Sequence, residues 1–543
     1  MMKKYLLALS LLVPGILYSQ GFHGGSASLR AGTNFRIHPG TISQSEVFLV
    51  SSPLDRNTLF AACNTINFIP FFISEGVYAS TDGGNTWQGS DTCKGEPIAY
   101  HGGDPGITID RNGTFIIARK GREPFVGVYS HFSTDHGLTW STQKVISTDD
   151  LERAALATDV NPASAYYGRT YATWVKFATP VPLMFTYSDN GAQSWAPPRQ
   201  VNNPPNMCAG GDLATGPNGE VYLCWAGITD VSPFKEIYGG FAKSTDGGQN
   251  WQVAENAFPM NGITGVLAEK KNIRVNGLPA MAVDTTQGPR RGWIYIVTTQ
   301  KGLAPAGSDP DLVLYRSTDG GESWSAGIRV NQDALNNGKI QYFPNIHIDR
   351  YGAVDILFYD DRTTTSDSTG VFLARSTDGG ETWREYEISD HHFQPTPIGG
   401  LGQGYQGDVI DLTSTDTKIV TVWMDNSTGV YQVWSALVDF SSLGEEELPN
   451  ATGFPVTRCM PNPFRDATVI RYFLPEAEEV SLEIFDILGN PVTVPVSRRQ
   501  SAGYHETEFR FDGHGAEAAC GKVLFYRLRA GQRVETGRMV HLD

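Results

Sequence analysis

Two sets of polar residues have types and spacing that could do chemistry. The first combines carboxylates, phenols and a guanidinium at the boundaries of two apolar segments, and its members are Tyr359, Asp360, Asp361, Arg362, Tyr405 and Asp408. Paired carboxylates with a tyrosine near an arginine can act as acid, base or nucleophile at a glycosidic bond. We therefore predict Tyr405, Asp360, Asp361 and Asp408 as catalytic, and Tyr359 and Arg362 as ligand-binding.

The second set is Asp104, Asp212 and Asp408, each of which follows a glycine and precedes an apolar run. Three such carboxylates, together with backbone carbonyls, could ring an opening and hold a cation. A structural role is the alternative for both sets, because an Asp at the start of a strand can accept hydrogen bonds from the backbone of a neighbouring unit.

These residues lie between copies of one recurring octet, whose form is Ser-Thr-Asp-Gly-Gly-x-Thr-Trp at residues 80–87 and 376–383. Six copies occur, and their Asp-equivalent residues are Asp82, Asp135, Asn190, Asp246, Asp319 and Asp378. The gaps between them are 53, 55, 56, 73 and 59 residues. A period of this length indicates a repeated supersecondary unit.

Each octet has the composition of a tight turn. Glycines permit positive φ, the Asp side chain can accept nearby backbone N–H groups, and the Trp can pack back as an apolar lid. A structural role is therefore expected for all six Asp-equivalent residues, with a metal or catalytic role as the alternative.

A second pattern recurs between the octets: an apolar run, a turn and another apolar run, as at residues 107–118, 213–225, 346–359 and 409–423. With one strand before and one after each octet, the unit is four antiparallel strands. Four-stranded units repeated radially form a β-propeller. Seven strand pairs predict seven blades. Six is the alternative if the first and last segments share a closing blade, and residues 429–436 and 437–440 are expected to supply the last two strands.

The octet resembles the Asp box of the sialidase and BNR-repeat superfamily, and the resemblance extends over roughly residues 35–440. It implies an all-β sialidase-like propeller. In such a unit the first strand lines the axis, so the funnel that binds ligands is formed by the loops opposite the octets.

The resemblance also implies functional residues: three arginines for a sugar carboxylate, an acidic Asp, and a Tyr nucleophile supported by a Glu. Ligand-binding roles then fall to Arg36, in a Phe-Arg-Ile-His-Pro sequence where the family has no His, and to Arg153, Arg274 and Arg362. Tyr405 takes the nucleophile position. The stretch expected to hold the acid, residues 61–80, contains Glu75 and no Asp.

Charge and leader sequence limit the other classes of function. A net charge of −16 argues against nucleic-acid and anionic-membrane partners. Lys3 and Lys4 precede a short apolar run, which predicts an export signal over residues 1–19. No later segment is long and apolar enough to predict an integral membrane span.

Six cysteines fall two by two along the chain. The pairs are Cys63 with Cys93, Cys208 with Cys224, and Cys459 with Cys520. Disulfides are expected in an exported protein, and free buried thiols are the alternative. Their spacing matches no zinc site, and we predict neither a metal nor a cofactor.

After residue 440 the composition of the sequence changes and the octets no longer occur. An acidic linker at 441–455 precedes a module at 456–543 with an Asn-Pro-Phe start, an Ile-Leu-Gly turn, an Ala-Gly-Tyr-His turn and a Phe-Tyr-Arg-Leu strand. This module resembles the C-terminal sorting domain of type IX secretion cargo, which implies outer-membrane secretion machinery as a partner. An ordinary binding β-sandwich is the alternative.

Together these features predict an all-β protein with a signal peptide at 1–19, a propeller at 20–440, a linker and a small β-sandwich. The predicted function is binding of a glycan or glycoprotein through the central funnel. A glycoside hydrolase of exo-sialidase type with a non-standard catalytic set is the alternative, and a purely structural surface protein is a third.

Overall fold

The computed structural model describes residues 31–69, 71–93, 101–205, 207–440, 458–460, 464–465, 467–474, 477–500, 503–511, 523–531 and 533–541. Within these residues the protein is built of strands, apart from one three-residue 3₁₀ turn, Ala268–Lys270. The predicted signal peptide and linker lie outside the described residues.

Residues 31–440 form seven four-stranded antiparallel sheets among the described residues, here called blades 1 to 7. Blades 1 to 3 consist of β2 (Ser43–Ser51), β3 (Leu59–Phe68), β4 (Phe71–Ser80) and β5 (Gln88–Ser90); β6 (His101–Ile109), β7 (Phe115–Gly121), β8 (Gly127–Ser133) and β9 (Lys144–Ser147); and β10 (Ala155–Thr158), β11 (Thr170–Val175), β12 (Leu183–Ser188) and β13 (Arg199–Gln200).

Blades 4 to 6 follow the same order, with one added hairpin. They consist of β14 (Met207–Thr215), β15 (Val221–Ile228), β16 (Glu236–Ser244) and β17 (Gln252–Pro259); β20 (Ala280–Val283), β21 (Ile294–Gln300), β22 (Asp311–Ser317) and β23 (Ile328–Arg329); and β24 (Gln341–Ile348), β25 (Val354–Asp360), β26 (Gly370–Ser376) and β27 (Arg384–Glu387). Between blades 4 and 5, β18 (Gly265–Leu267) pairs with β19 (Ile273–Val275).

The first strand of each blade packs beside the first strand of the next, and the ring closes where blade 7 meets blade 1. The second and third strands are apolar and buried, as in β25, where all seven residues are buried. Sheets buried on both faces need near-continuous apolar runs, which explains the runs found in the sequence. The protein is therefore a β-propeller, as predicted.

Blade 7 joins the two ends of the ring. It contains β28 (Asp411–Ser414), β29 (Lys418–Asp425) and β30 (Gln432–Asp439), and its outer strand is β1 (Phe35–Arg36) from the start of the described chain. The prediction that residues 437–440 supply the fourth strand is wrong, because β30 continues through residue 439. The first and last segments thus share a blade, and the other six blades are complete without it.

Each octet forms the turn between the third and fourth strands of a blade. In the sixth copy, Ser376 Oγ donates to Asp378 Oδ1 at 2.7 Å and accepts from Gly380 N at 2.7 Å. Asp378 accepts from Thr382 N at 3.0 Å and from its hydroxyl at 2.5 Å. These bonds satisfy the backbone donors of the turn, as a structural role requires.

The octet tryptophans pack against the preceding blade rather than lying only over their own turn. Trp251 meets Phe185 of blade 3 edge-on at 4.9 Å, and Trp324 meets Phe241 of blade 4 at 5.1 Å. A Cβ on Gly248 would lie 2.2 Å from Phe185, so the second glycine is needed for close packing as well as for its φ of 88°. The octets therefore join neighbouring blades.

The four cysteines of the propeller, Cys63, Cys93, Cys208 and Cys224, are buried, and Cys63, Cys208 and Cys224 are free thiols. The disulfides expected for the first two pairs are therefore not formed. Cys520 of the third pair lies outside the described residues. None of the described helical segments is long and apolar enough to cross a membrane.

The C-terminal part has two sheets that share one apolar core. One sheet contains β31 (Arg458–Met460), β32 (Ala467–Leu474) and β35 (Gly503–Arg510); the other contains β33 (Glu478–Phe485), β34 (Pro491–Gln500), β36 (Val523–Ala530) and β37 (Arg533–Val540). This agrees with the small β-sandwich predicted for the C-terminal module.

Candidate active site in the central cavity

A cavity of about 700 Å³ lies on the axis, where the first strands of the blades converge. Its charged lining groups come from blades 1 to 4, from blade 7 and from the β18–β19 hairpin. They are Glu46, Asp104, Lys120, Glu152, Arg153, Asp212, Arg274, Asp408 and Asp411, with Tyr405 beside them.

Bulges at the starts of the inner strands aim side chains into this cavity. The register shifts between Ser45 and Phe48 in β2, and again near Asp104 in β6. At these bulges Glu46 and Asp104 have φ values of 54° and 56°, which non-glycine residues rarely adopt. A bulge turns a residue out of the regular alternation, so these two carboxyls reach the cavity instead of the core between blades.

Asn64 joins the groups around Tyr405. Its Nδ2 donates to the Tyr405 hydroxyl at 3.0 Å and to Glu46 Oε2 at 3.1 Å, while its Oδ1 accepts from the Asp104 backbone at 2.6 Å. The Tyr405 hydroxyl also lies 3.1 Å from Ser45 Oγ. Tyr405 is therefore held by hydrogen bonds from blade 1.

The electrostatics of this cluster favour the protonated forms of Glu46 and Tyr405. Burial, with the nearby charges of Asp104 and Asp408, raises the pKa of Glu46 to about 8, although Arg274 opposes the shift. Burial likewise raises the pKa of the Tyr405 phenol well above its ordinary value, and Glu46 adds to this effect. At neutral pH Glu46 therefore holds a proton and Tyr405 is an un-ionised phenol.

Arg274 and Asp408 form the opposite wall. Arg274 Nε lies 3.3 Å from Asp408 Oδ1, and Nη2 contacts the other oxygen of the same carboxylate. The guanidinium carbon is 5.1 Å from the centre of the Tyr405 ring. This arginine is thus already paired within the protein.

Arg153 and Lys120 differ from Arg274, because they contact aromatic rings rather than a carboxylate. The Arg153 guanidinium stacks 4.5 Å from the Phe48 ring centre, and the Lys120 ammonium lies 5.5 Å from that of Phe177. Within the described part of the chain neither cationic group has a hydrogen-bond or ion-pair partner. The cavity therefore presents two cations, held on aromatic rings, that a ligand could bind.

Asp212 and Asp411 serve the structure of the ring. Asp212 Oδ2 accepts from the backbone of Met281 in the next blade at 2.9 Å, and Asp411 Oδ2 accepts from that of Leu49 at 2.7 Å. No three His, Cys, Asp or Glu residues within the described ranges are arranged to hold a metal ion. The arrangement by which Asp104, Asp212 and Asp408 could hold a cation is therefore not found in the described part of the chain.

The run 359–362 lies away from the cavity. Tyr359 is buried and donates to Met424 O at 2.6 Å. Arg362 pairs with Asp360 at 2.5 Å and with Glu385 at 2.6 Å. The expected meeting of this run with Tyr405 and Asp408 does not occur, because none of its residues lines the cavity and Asp360 and Arg362 bind each other instead.

Three further residues named from the sequence also lie elsewhere. Asp361 is fully buried against Lys270 at 2.8 Å. Arg36 is on the outer strand β1, 6.0 Å from the Trp434 ring centre, so it does not line the funnel as the sialidase resemblance implied. Glu75, in the stretch expected to hold the acid, is buried near Arg119 rather than in the cavity.

Sequence reasoning missed Glu46, Asn64 and Lys120. Glu46 and Asn64 lie in apolar segments, where a single polar residue is typical of the edge of a strand. Lys120 is one of several basic residues in the sequence Ala-Arg-Lys-Gly-Arg, and nothing in that sequence distinguishes it from the others. Glu46 could have been predicted from its position directly before the apolar run of a first strand. Asp104 has the corresponding position in the neighbouring blade, and both residues lie in a bulge.

Comparison with known families agrees with the repeats. The BNR/Asp-box repeat family matches residues 315–326. The chain contains a BNR/Asp-box repeat. No match is found among curated proteins.

Solved structures similar to this chain include an ulvan lyase of polysaccharide lyase family PL25, with 11% identity over 76% of this chain and 96% of that one and a TM-score of 0.47. A Penicillium chrysogenum α-L-arabinanase has 14% identity over 76% and 99%, with a TM-score of 0.40. A leech intramolecular trans-sialidase has 11% identity over 66% and 70%, with a TM-score of 0.40.

Proposed function

We propose that this protein binds an acidic carbohydrate in the central cavity. The observation that carries the proposal is the pair of cations, Arg153 and Lys120, which lack hydrogen-bond and ion-pair partners among the described residues. Stacking on Phe48 and Phe177 restrains both side chains, so less conformational entropy is lost when a carboxylate or sulfate binds. Tyr405 and the nearby carboxyls then face the sugar hydroxyls.

Binding of three probes tests this proposal: 3′-sialyllactose, tetragalacturonate and a heparin hexasaccharide, each titrated calorimetrically. Arg153→Gln and Lys120→Gln should each weaken the tightest probe about tenfold to a hundredfold, because each removes a charge-assisted hydrogen bond. Arg384→Gln, on an exposed outer strand, is the matched control and should have no effect. Equal binding by all variants would show that the cavity is not the site.

Cleavage of the bound sugar is a second candidate function, favoured by the protonation of Glu46. A carboxylic acid with a pKa of about 8 can donate a proton to a leaving glycosidic oxygen at neutral pH. Glu46→Gln should then remove turnover of an aryl glycoside of the bound sugar while preserving its affinity. Wild-type protein that binds the sugar but releases no aryl alcohol would leave binding as the whole function.

A further inference from the structure

The β18–β19 hairpin is the one two-stranded addition to the ring among the described residues, and it falls in the longest gap between octets, 73 residues. Leu267, Ile273 and Val275 face inward and are buried in the core shared with blades 6 and 7. Since alternate residues of a strand point to opposite sides, Arg274 faces the cavity.

Lys270, in the turn of this hairpin, is fully buried although it carries a charge. Its ammonium donates to Asp361 Oδ2, Ser366 O and Ser368 O, each at 2.8 Å. An ammonium has three donors, and all three are satisfied. The loop of blade 6 after β25 therefore holds the turn of the hairpin by three charge-assisted bonds.

The other end of the hairpin holds the site. Arg274 N donates to Gly404 O at 2.7 Å, and a Cβ on Gly404 would lie 2.2 Å from Asn272 O. Gly404 directly precedes Tyr405. The backbone of β19 thus sets the position of the segment that carries Tyr405. The side chain of Arg274, on the same strand, covers the Tyr405 ring.

We infer that Lys270 is a positioning residue for the central site: its three bonds to the 361–368 loop fix the hairpin, and the hairpin fixes Arg274 and Tyr405. The binding consequence of this inference rests on the proposed function, whereas its structural consequence does not.

Lys270→Met tests the structural consequence, because it keeps the apolar stem and removes the ammonium. Amide hydrogen exchange in residues 271–275 and 402–405 should become at least about tenfold faster, while the octets of blades 2 to 4 stay unchanged. Lys339→Met is the matched control, since Lys339 also donates to the 361–364 loop, at 3.0 Å to Asp361 O and Thr364 O, but is not part of the hairpin. If the single variant does not fold, Lys270→Met/Asp361→Asn leaves no unpaired buried charge and should show the same local exchange.

A double-mutant cycle tests the binding consequence with the tightest of the three acidic probes. Lys270→Met should weaken binding, and it should weaken binding less in an Arg274→Gln background than in the wild type, because both changes disturb the same hairpin. Additive losses would show that Lys270 acts on general stability and would overturn the inference. So would unchanged exchange in residues 271–275 and 402–405. If the wild type binds none of the probes, the proposed function fails, and the exchange result still decides the role of Lys270.

Discussion

At the scale of single residues, one chemical group takes opposite roles according to its surroundings. The octet carboxylate Asp135 accepts hydrogen bonds from the side chain and backbone of Thr139, which lower its pKa to about 2. Glu46 is instead buried beside other carboxyls, and its pKa rises to about 8. The partly exposed carboxylate organises a turn as an anion, whereas the buried one is an acid at neutral pH.

Glu46 should therefore make stability depend on pH. Because its pKa is about 8 in the folded protein against an ordinary value of 4.5, the native state holds more protons than the unfolded state between these values. Stability then falls as pH rises from about 4.5 to 8. Glu46→Gln should show a smaller loss of melting temperature from pH 5 to pH 8 than the wild type.

Exposed Glu322→Gln is the control for this experiment and should follow the wild-type curve. Parallel curves for wild type and Glu46→Gln would contradict the assignment of a raised pKa to this carboxyl.

At the scale of elements, the octets of a blade stabilise its packing, whereas the bulges place residues in the cavity. The octet turn carries a tryptophan into the preceding interface, and the bulge at the opposite end of the inner strand presents a polar residue to the axis. The same four-stranded unit can therefore repeat for stability while the bulge residues differ from blade to blade.

Trp383→Ala should reveal the first of these roles. Trp383 is partly buried in the core between blades 5 and 6, so its removal should lower the free energy of unfolding by roughly 3 kcal/mol. Calorimetric or denaturant unfolding measures this change, with Arg384→Ala on the next residue as the control. Affinity for the acidic probe should be unaltered in folded protein, and a loss of affinity at unchanged stability would oppose the structural role.

The closing blade has its own pH-sensitive contact. His391 lies between Asp390 at 2.7 Å and Asp425 at 2.8 Å, and Asp390 accepts from the backbone of Asn34 beside β1 at 2.9 Å. The bond to Asp425 leads the causes that raise the pKa of His391 to about 9. The resulting stabilisation is complete below about pH 6.5 and is lost as pH rises through 9.

His391→Gln should therefore lower the melting temperature at pH 6 and have little effect at pH 10. His392→Gln, whose partner is Glu387, is the neighbouring control. An equal deficit at both pH values would show that packing on Trp434, rather than charge, accounts for the effect of His391.

At the scale of the whole molecule, a propeller and a small β-sandwich follow one another in the chain. The ring is closed by β1, the first described strand of the propeller, which pairs with β30, the last strand of the propeller. Closure of this kind makes both ends of the propeller necessary for its stability, because the edge of blade 7 would otherwise be unpaired.

We propose that the protein is exported and that residues 456–543 direct its passage across the outer membrane. The sequence patterns of the leader and of the C-terminal module support this proposal. A chain truncated after residue 455 should accumulate in the periplasm with an unchanged propeller melting temperature, measured by fractionation and calorimetry. Normal amounts of the truncated protein outside the cell would refute the sorting role.

The sequence by itself determined the repeat, the strand type and the architecture. Octets with glycines and a tryptophan at constant positions specify a turn through local φ preferences and hydrogen bonds, and apolar runs specify buried strands. These are short-range properties, so they can be read along the chain. The family resemblance added a funnel and named Arg153, Arg274 and Tyr405, all of which line the cavity.

Only the tertiary structure decided which charges share the cavity. Asp360 and Arg362 had a suggestive spacing, yet they neutralise each other at the end of a second strand, one strand away from the axis. Glu46 and Asn64 looked like ordinary strand residues, yet bulges and neighbouring blades bring them to Tyr405. Contacts between residues several hundred positions apart depend on blade order and on one-residue bulges, and neither the pairing of charges nor the burial that shifts a pKa is encoded locally.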